Sequence, residues 1–334
     1  MKQNRKIVIE RLGESFRDCT RMVMEPWPEP AAGEVRVRHH FAGVNGVYDQ
    51  MMCLNRVEHT RVTPPADTGV EAVGVVDKLG EGVTGFKPGD PVAVVKAGFG
   101  YRLAQVCAID ELIRLPDCSK QTLALIPSGV SALLALEQVG ELSSGEVVCI
   151  TAAAGGLGNI AVQLALSAGN HVVAVCGGDE KADWLRRIGA HRVIQYRRES
   201  LAEVINSEYR DRLDLVMDSV GGETFDTLLD NLAPHGRLVV CGYTSDRLPT
   251  AKISTERVYS RLYWKAASVR GFMNYRFAQH AEAARQKLFR QVANGHLNPL
   301  VDSTVFTGLE QVPDAVEHLL AGRNLGKVLI DLRS

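Results

Sequence analysis

Val147-Val148-Cys149-Ile150-Thr151-Ala152-Ala153-Ala154-Gly155-Gly156-Leu157-Gly158-Asn159-Ile160-Ala161-Val162-Gln163-Leu164-Ala165 is the stretch from which the fold is read. It opens with an apolar run suited to a buried parallel strand, passes through small residues, and continues with apolar residues at helical spacing. That order is strand, tight turn, helix. From Ala153 the turn reads A-x-G-x-x-G, a dinucleotide-binding fingerprint with alanine in place of its first glycine. Without side chains at Gly155 and Gly158 the backbone can approach a pyrophosphate, whose charge the N–H groups at the helix start would meet. Gly156 and Leu157 lie inside the same turn. Glycine turns also occur between strands and helices where nothing binds, so the surroundings must decide.

The next apolar run, 171–175, lies where the second strand of a βαβ unit belongs. A dinucleotide site with a free ribose wants an acid at the end of that strand. The run ends instead in Cys176-Gly177-Gly178, and Asp179 follows. Two glycines separate Asp179 from the strand, so we read it as the N-cap of a helix over 181–188. Lys181 lies in the same turn, and Tyr196, Arg197 and Arg198 follow the third strand. A neutral strand end flanked by these groups can accept a 2′-phosphate, which favours NADP(H) over NAD(H). An ordinary solvated basic face is the other reading of the same residues.

At 334 residues the chain is long enough for two domains with substantial cores. Hydrophobic residues make up 46% and charged residues 23%, with a net charge of −1. This composition gives no footprint for nucleic acid or for an anionic membrane surface. The first residues, MKQNRKIVIERLG, lack the apolar core of a signal peptide, and no run of about 18 apolar residues follows, so a cytoplasmic location is expected. Seven cysteines at 19, 53, 107, 118, 149, 176 and 241 contain no CxxC pair. They read as reduced thiols rather than disulfides or zinc ligands.

Up to about residue 120 the pattern is β-rich, with short runs at 7–9, 35–38, 72–76 and 91–95 separated by proline and glycine turns. Closely spaced strands of this kind suggest a compact barrel. Beyond Pro116 a helical stretch leads to six candidate strands, 147–151, 171–175, 192–195, 213–218, 236–241 and 267–271, alternating with helical segments. Six suit a complete doubly wound sheet, whose ligand binds at the carboxyl ends of its strands. Thr151, Cys176-Gly177, Ser219-Val220-Gly221-Gly222, Gly242-Tyr243 and Phe272-Met273-Asn274 stand there. A helix over 277–293 follows, and the strand-like tail is expected to rejoin the N-terminal domain.

Gly43-Val44-Asn45, Gly69-Val70-Glu71, Gly89-Asp90, the 153–158 turn, Asp218-Ser219-Val220-Gly221-Gly222, Gly271-Phe272 and Asn324-Leu325-Gly326-Lys327 resemble the medium-chain dehydrogenase/reductase superfamily. Within it the chain is similar to the zinc-independent quinone oxidoreductase and prostaglandin reductase branch. The resemblance covers essentially the whole chain and is loosest over 46–64 and 244–264, the regions expected to line a substrate site. It implies an α/β protein with a GroES-like β-rich catalytic or substrate domain, 1–122 and 300–334, and a six-stranded Rossmann NADP(H)-binding domain, 123–299. By matching position, Gly155, Gly156, Leu157 and Gly158 would meet the pyrophosphate, and Lys181 and Tyr196 the 2′-phosphate. Ser219, Cys241-Gly242-Tyr243, Phe272-Met273-Asn274 and Asn324 would surround the adenosine, the nicotinamide and its amide. The branch also implies a homodimer, and the sixth strand of the sheet supplies an edge suited to pairing across a two-fold axis.

Departures from the pattern matter as much. Zinc-dependent relatives carry a cysteine where Asn45 stands and a histidine where Val70 stands, and insert a four-cysteine lobe near Lys96. Here only Lys96-Ala97-Gly98-Phe99-Gly100 leads to the next strand, so no metal is expected. The chemistry left is reduction of the activated C=C bond of an enone, enal or enoyl substrate with NADPH, with quinone reduction as the alternative. A third reading is a nucleotide-binding structural or interaction protein without turnover. The branch usually has Asp or Glu three residues after its asparagine; here Tyr48 holds that place and Asp49 follows, so either the loop is shifted by one residue or the pocket differs. Tyr48 is the first candidate for hydrogen-bond donor to an enolate, with Tyr275 and Tyr263 behind it, and Asn45 is a candidate for orienting substrate or nicotinamide ribose. Solvent or the nicotinamide ribose hydroxyl could deliver the proton instead. His39-His40 read as surface or core residues. Cys53 lies in a loop where an electrophilic enone could alkylate it, and Arg247, Lys252, Arg257 and Arg261 allow an anionic substrate or a solvated face.

Overall fold

The structure is a computed structural model that describes residues 3–246, 248 and 257–333. The chain divides into two units, Met1–Pro127 with Val301–Ser334, and Ser128–Leu300.

In the first unit, valine-rich runs make strands with several consecutive buried residues, so both faces of the central strands are largely covered. Glu34–Gly43, Glu71–Leu79 and Pro91–Val95 run antiparallel side by side, and Ala104–Ala108 pairs with the first of them. Leu112–Arg114 extends one flank of the ladder. The tail extends the other: Leu329–Asp331 pairs antiparallel with Glu34–Gly43, and Phe306–Thr307 pairs with Leu329–Asp331. A smaller sheet joins Thr20–Pro26, Gln3–Ile9 and Ala66–Asp67. The inward residues Val35, Val37, Val76, Val92, Val94 and Cys107 form one core. Ile9, Phe16, Cys53, Tyr101, Val316 and Ile330 belong to another. Each large apolar side chain so buried contributes about 1.5–3 kcal/mol. His39 on the long strand is only 1% exposed, so of the two readings the core one holds for it.

The second unit is a parallel six-stranded sheet ordered Arg192–Gln195, His171–Cys176, Val147–Ile150, Leu213–Asp218, Leu232–Val240, Ser268–Gly271. Its first three strands run outward in one direction and its last three in the other. Order therefore reverses between Val147–Ile150 and Leu213–Asp218, which opens a crevice at their carboxyl ends. Both faces of such a sheet are covered, which explains unbroken apolar runs in place of alternation. Cys149, Val173, Ile194, Leu213, Val216 and Leu238 share one core cluster.

The fifth strand starts earlier than the expected 236, because Leu232 pairs with Leu213 before the ladder shifts register. His235, between Pro234 and Gly236, adopts a positive φ of 64°, and the bulge sits inside the strand Leu232–Val240. The last long helix is Ala278–Ala293, entered through a 3₁₀ turn at Asn274–Phe277. Among the described residues one helical stretch, Lys120–Val139, is long and apolar enough to cross a membrane; 83% of it is buried inside the protein.

Candidate active site

The reversal point of the sheet is held by hydrogen bonds. Thr151 Oγ1 donates to Asp218 Oδ1 at 2.7 Å and accepts the Ser219 N–H at 2.8 Å. Asp218, fully buried, also accepts the N–H groups of Val220 and Gly221 at 3.0 Å each, so its carboxylate shapes the turn after the fourth strand. The Cys241 N–H reaches the Asp218 carbonyl at 2.6 Å, which brings the fifth strand end alongside. Burial pushes the Cys241 thiol up to about 12, so it stays neutral.

Around the glycine turn, the Gly155 N–H donates to the Ala152 carbonyl at 2.9 Å, and the helix Gly158–Ser167 begins directly after it. A Cβ at Gly158 would stand 2.3 Å from the Ala152 oxygen and 2.8 Å from the Ala153 Cα. Only glycine lets the turn close this tightly, and the closed turn is the cradle that a pyrophosphate requires. Asn159 escaped the sequence reading. Its Nδ2 donates to the carbonyls of Gly155 and Gly156 at 2.8 and 2.9 Å, and its Oδ1 accepts the Leu300 N–H at 3.0 Å. A polar residue at the first turn of a mostly apolar helix was the available signal.

At the neighbouring strand ends, Tyr196 lies against Gly177, where a Cβ would be 2.3 Å from the phenol oxygen. The glycine is thus explained by the tyrosine. Burial pushes the Cys176 thiol up to about 11 against the opposing pull of Lys181 and Arg186. Asp179 requires a correction: the N-cap is Gly178, at φ 130°, and Asp179 is the first residue of the helix Asp179–Arg187. Its carboxylate turns to the third strand instead, accepting from Gln195 Nε2 at 2.6 Å and from Arg198. Gly178 can adopt a backbone angle closed to aspartate, and the helix starts at 179, two residues before the expected 181.

The remaining residues of this unit divide. The Phe272 N–H continues the ladder to the Val240 carbonyl at 3.0 Å, and the Phe272 ring stacks on Phe277. Asn274 spends an amide hydrogen on Ser131 Oγ at 2.9 Å. Tyr243, Met273, Tyr263 and Tyr275 are exposed. Gly242 has the Ser219 backbone 3.2 Å from its would-be Cβ. Arg261 is committed to Asp226 and Asp230, so it belongs to neither a free basic face nor an anion site. Arg257 is exposed, and Arg247 and Lys252 lie outside the described residues.

In the first unit, Asn45 precedes the helix Gly46–Cys53. Its amide is fully engaged: Nδ2 donates to Glu71 Oε1 at 3.0 Å, and Oδ1 accepts from Lys327 Nζ at 2.9 Å. Lys327 also pairs with Glu71 at 2.6 Å and reaches the Val44 carbonyl at 3.2 Å, all with almost no exposure. Two charged partners, one on each side of its amide, thus hold the Asn45 side chain in a fixed orientation. Of Tyr48 and Asp49, the aspartate points inward: its Oδ2 accepts the Tyr101 hydroxyl at 2.7 Å and the Asn45 N–H at 3.2 Å. Burial pushes the Asp49 carboxyl up to about 6. Tyr48 is half-buried, with its hydroxyl 3.4 Å from His59 Nε2, and burial raises its phenol above the ordinary value. Both residues, with Phe16, Met52, Thr68, Gly69 and Gly98, line a cavity with room for about one water molecule. Asn324 is buried, its Nδ2 donating to the Gly326 carbonyl at 2.8 Å. Asp302, missed in sequence, holds that segment by accepting the Leu325 N–H at 2.6 Å. Cys53 is fully buried and its thiol is raised by burial, so the expected exposure to electrophiles is absent. All seven cysteines carry free thiols. Among the described residues no three His, Cys, Asp or Glu side chains come together as a metal site.

Residues 31–112 match the alcohol dehydrogenase GroES-like domain, and residues 156–290 match the zinc-binding dehydrogenase domain. The chain is 37% identical to prostaglandin reductase-3 of Mus musculus over 341 residues, covering 98% of this chain and 89% of that protein. It is 34% identical to a probable quinone oxidoreductase of Leishmania amazonensis, covering 98% of each. Among solved structures, the Escherichia coli quinone oxidoreductase complexed with NADPH superposes with a TM-score of 0.84 at 25% identity, covering 98% of this chain and all of that one.

Proposed function

The chain belongs to the medium-chain dehydrogenase/reductase superfamily, in its zinc-independent quinone oxidoreductase and prostaglandin reductase branch, and from that premise we propose that it reduces the C=C bond of an α,β-unsaturated carbonyl with NADPH. The observation that carries this reading is the Asn45–Lys327–Glu71 cluster. It puts a tied carboxamide where zinc-dependent relatives have a thiolate ligand, and so offers nothing to ionise an alcohol. Addition to an already activated double bond has no such need.

NADPH supplies the hydride. The chain supplies position and charge. Gly155 to Gly158 hold the pyrophosphate with backbone N–H groups, and Lys181 and Tyr196 hold the 2′-phosphate. Ser219, Cys241 to Tyr243 and Phe272 to Asn274 take the adenosine and nicotinamide ends. Tyr48, kept protonated by its raised pKa, donates to the carbonyl oxygen as negative charge develops there, and solvent supplies the proton that completes the α-carbon. Asn45, its amide fixed by Glu71 and Lys327, orients the substrate or the nicotinamide ribose.

The name borne by the Leishmania relative favours quinone reduction as the second reading. Product analysis separates the two and tests the first: a medium-chain 2-alkenal incubated with NADPH yields the saturated aldehyde. Recovery of the allylic alcohol, or of unchanged alkenal beside a reduced quinone, rejects it. Seven free thiols support a reducing, cytoplasmic compartment. Ser268–Gly271 ends its sheet with one side unpaired and Val269 exposed, which supports a homodimer formed along that strand. A monomer mass by sedimentation at micromolar concentration would reject the dimer.

A further inference from the structure

We propose that Asp179 sets how strongly the site discriminates between NADPH and NADH, by holding Arg198 against the 2′-phosphate's claim on it. The inference rests on the phosphate site proposed above.

The carboxylate stands at a corner shared by two strand ends. Gln195 is the last residue of the third strand and is 5% exposed. Its amide anchors Asp179 Oδ1 at 2.6 Å, so the carboxylate is fixed from a buried point. The other oxygen pairs with Arg198, two residues beyond Tyr196. Tyr196 itself lies against Gly177, and Lys181 lies in the first turn of the helix that Asp179 begins. One carboxylate thus stands among the groups that would receive a phosphate.

The two cofactors meet this arrangement differently. A ribose with a free 2′-hydroxyl can donate to the carboxylate while the Asp179–Arg198 pair stays whole. A 2′-phosphate is repelled by the carboxylate and gains Arg198 only by breaking the pair. Lys181 and Tyr196 favour NADPH, and Asp179 reduces the margin. Both partners are well exposed, with 60% and 69% of their side-chain surface open, so the effect is modest.

Calorimetric titration of the substrate-free protein tests this, with Asp179→Asn keeping an acceptor for Gln195. The variant binds NADPH roughly two- to fivefold more tightly, the scale of one exposed ion pair, and binds NADH more weakly. Arg198→Ala then weakens NADPH more in the Asp179→Asn background than in the native one. An unchanged NADPH affinity, or an equal shift for both cofactors, overturns the inference. Lys181→Ala is the separate check on the phosphate site. If it weakens NADPH alone while Asp179→Asn changes nothing, only the role of Asp179 falls. If it weakens both cofactors alike, the phosphate site falls and the inference with it.

Discussion

Thr151 and Asp218 join the carboxyl ends of two adjacent parallel strands through a 2.7 Å hydrogen bond, at the point where strand order reverses. The threonine oxygen also accepts the Ser219 N–H, so one hydroxyl fixes the crevice floor and the start of the next turn. Thr151→Val keeps the shape and deletes both bonds. It leaves a buried carboxylate oxygen short of a donor and costs about 1–3 kcal/mol of stability, measured by urea denaturation. Thr151→Ser retains most of it. Equal stability of the valine and serine variants would show that the bond does not support the crevice.

Gly158→Ala places a methyl group 2.3 Å from a backbone oxygen, where no side-chain adjustment can relieve it. The turn must open. We expect a loss of about 1–3 kcal/mol in stability and NADPH binding weakened by more than about tenfold, since the N–H groups leave the phosphate's reach. Unchanged NADPH affinity in a folded variant would remove the turn from the cofactor site.

Asp49 gives a pH dependence whose sign is set by burial. In the unfolded chain an aspartate ionises near 3.9; in the fold this one does so at about 6. Between those values the unfolded chain releases its proton first, so stability falls as pH rises, and the loss is complete above about pH 6. Asp49→Asn keeps an acceptor for Tyr101 and the Asn45 N–H but removes the buried charge. At pH 8 the variant is therefore more stable than the native protein, by on the order of 2 kcal/mol. The gap closes toward pH 4. A gap that does not vary with pH would contradict the burial argument.

Tyr48→Phe removes the proposed donor and nothing from the core. It lowers kcat at least about tenfold, some 1.4 kcal/mol of barrier, while NADPH affinity measured by titration is unchanged. An unaltered kcat would exclude the phenol from the reaction.

The doubly wound sheet was legible because its signals agree with one another. The 147–165 run sets strand, turn and helix in one reading, and the apolar runs that follow recur at βαβ spacing. The return of the tail to the first unit followed from the sheet being complete at six strands. What was not legible depends on partners distant in sequence. Asp179 looked like a cap because aspartate suits caps locally, and only the third strand shows where its carboxylate goes. Asn45 reads in sequence as a candidate for orienting substrate or nicotinamide ribose, and only the fold shows that Lys327, 282 positions away, donates to its oxygen. Tyr48 and Asp49 stand side by side in sequence, and only the helix Gly46–Cys53 shows that the aspartate is the one turned inward. The strand expected from 236 begins at Leu232, because the ladder bulges and continues around Pro234 and Gly236.

The most direct test of the central claim is NADPH consumption at 340 nm against a medium-chain 2-alkenal, a lipid enone, an enoyl thioester and an ortho-quinone, with NADH in parallel. Turnover of at least one alkene substrate, with NADPH preferred over NADH, is the result this account predicts. Turnover of the quinone alone, or of the alkenes equally well with NADH, would contradict it.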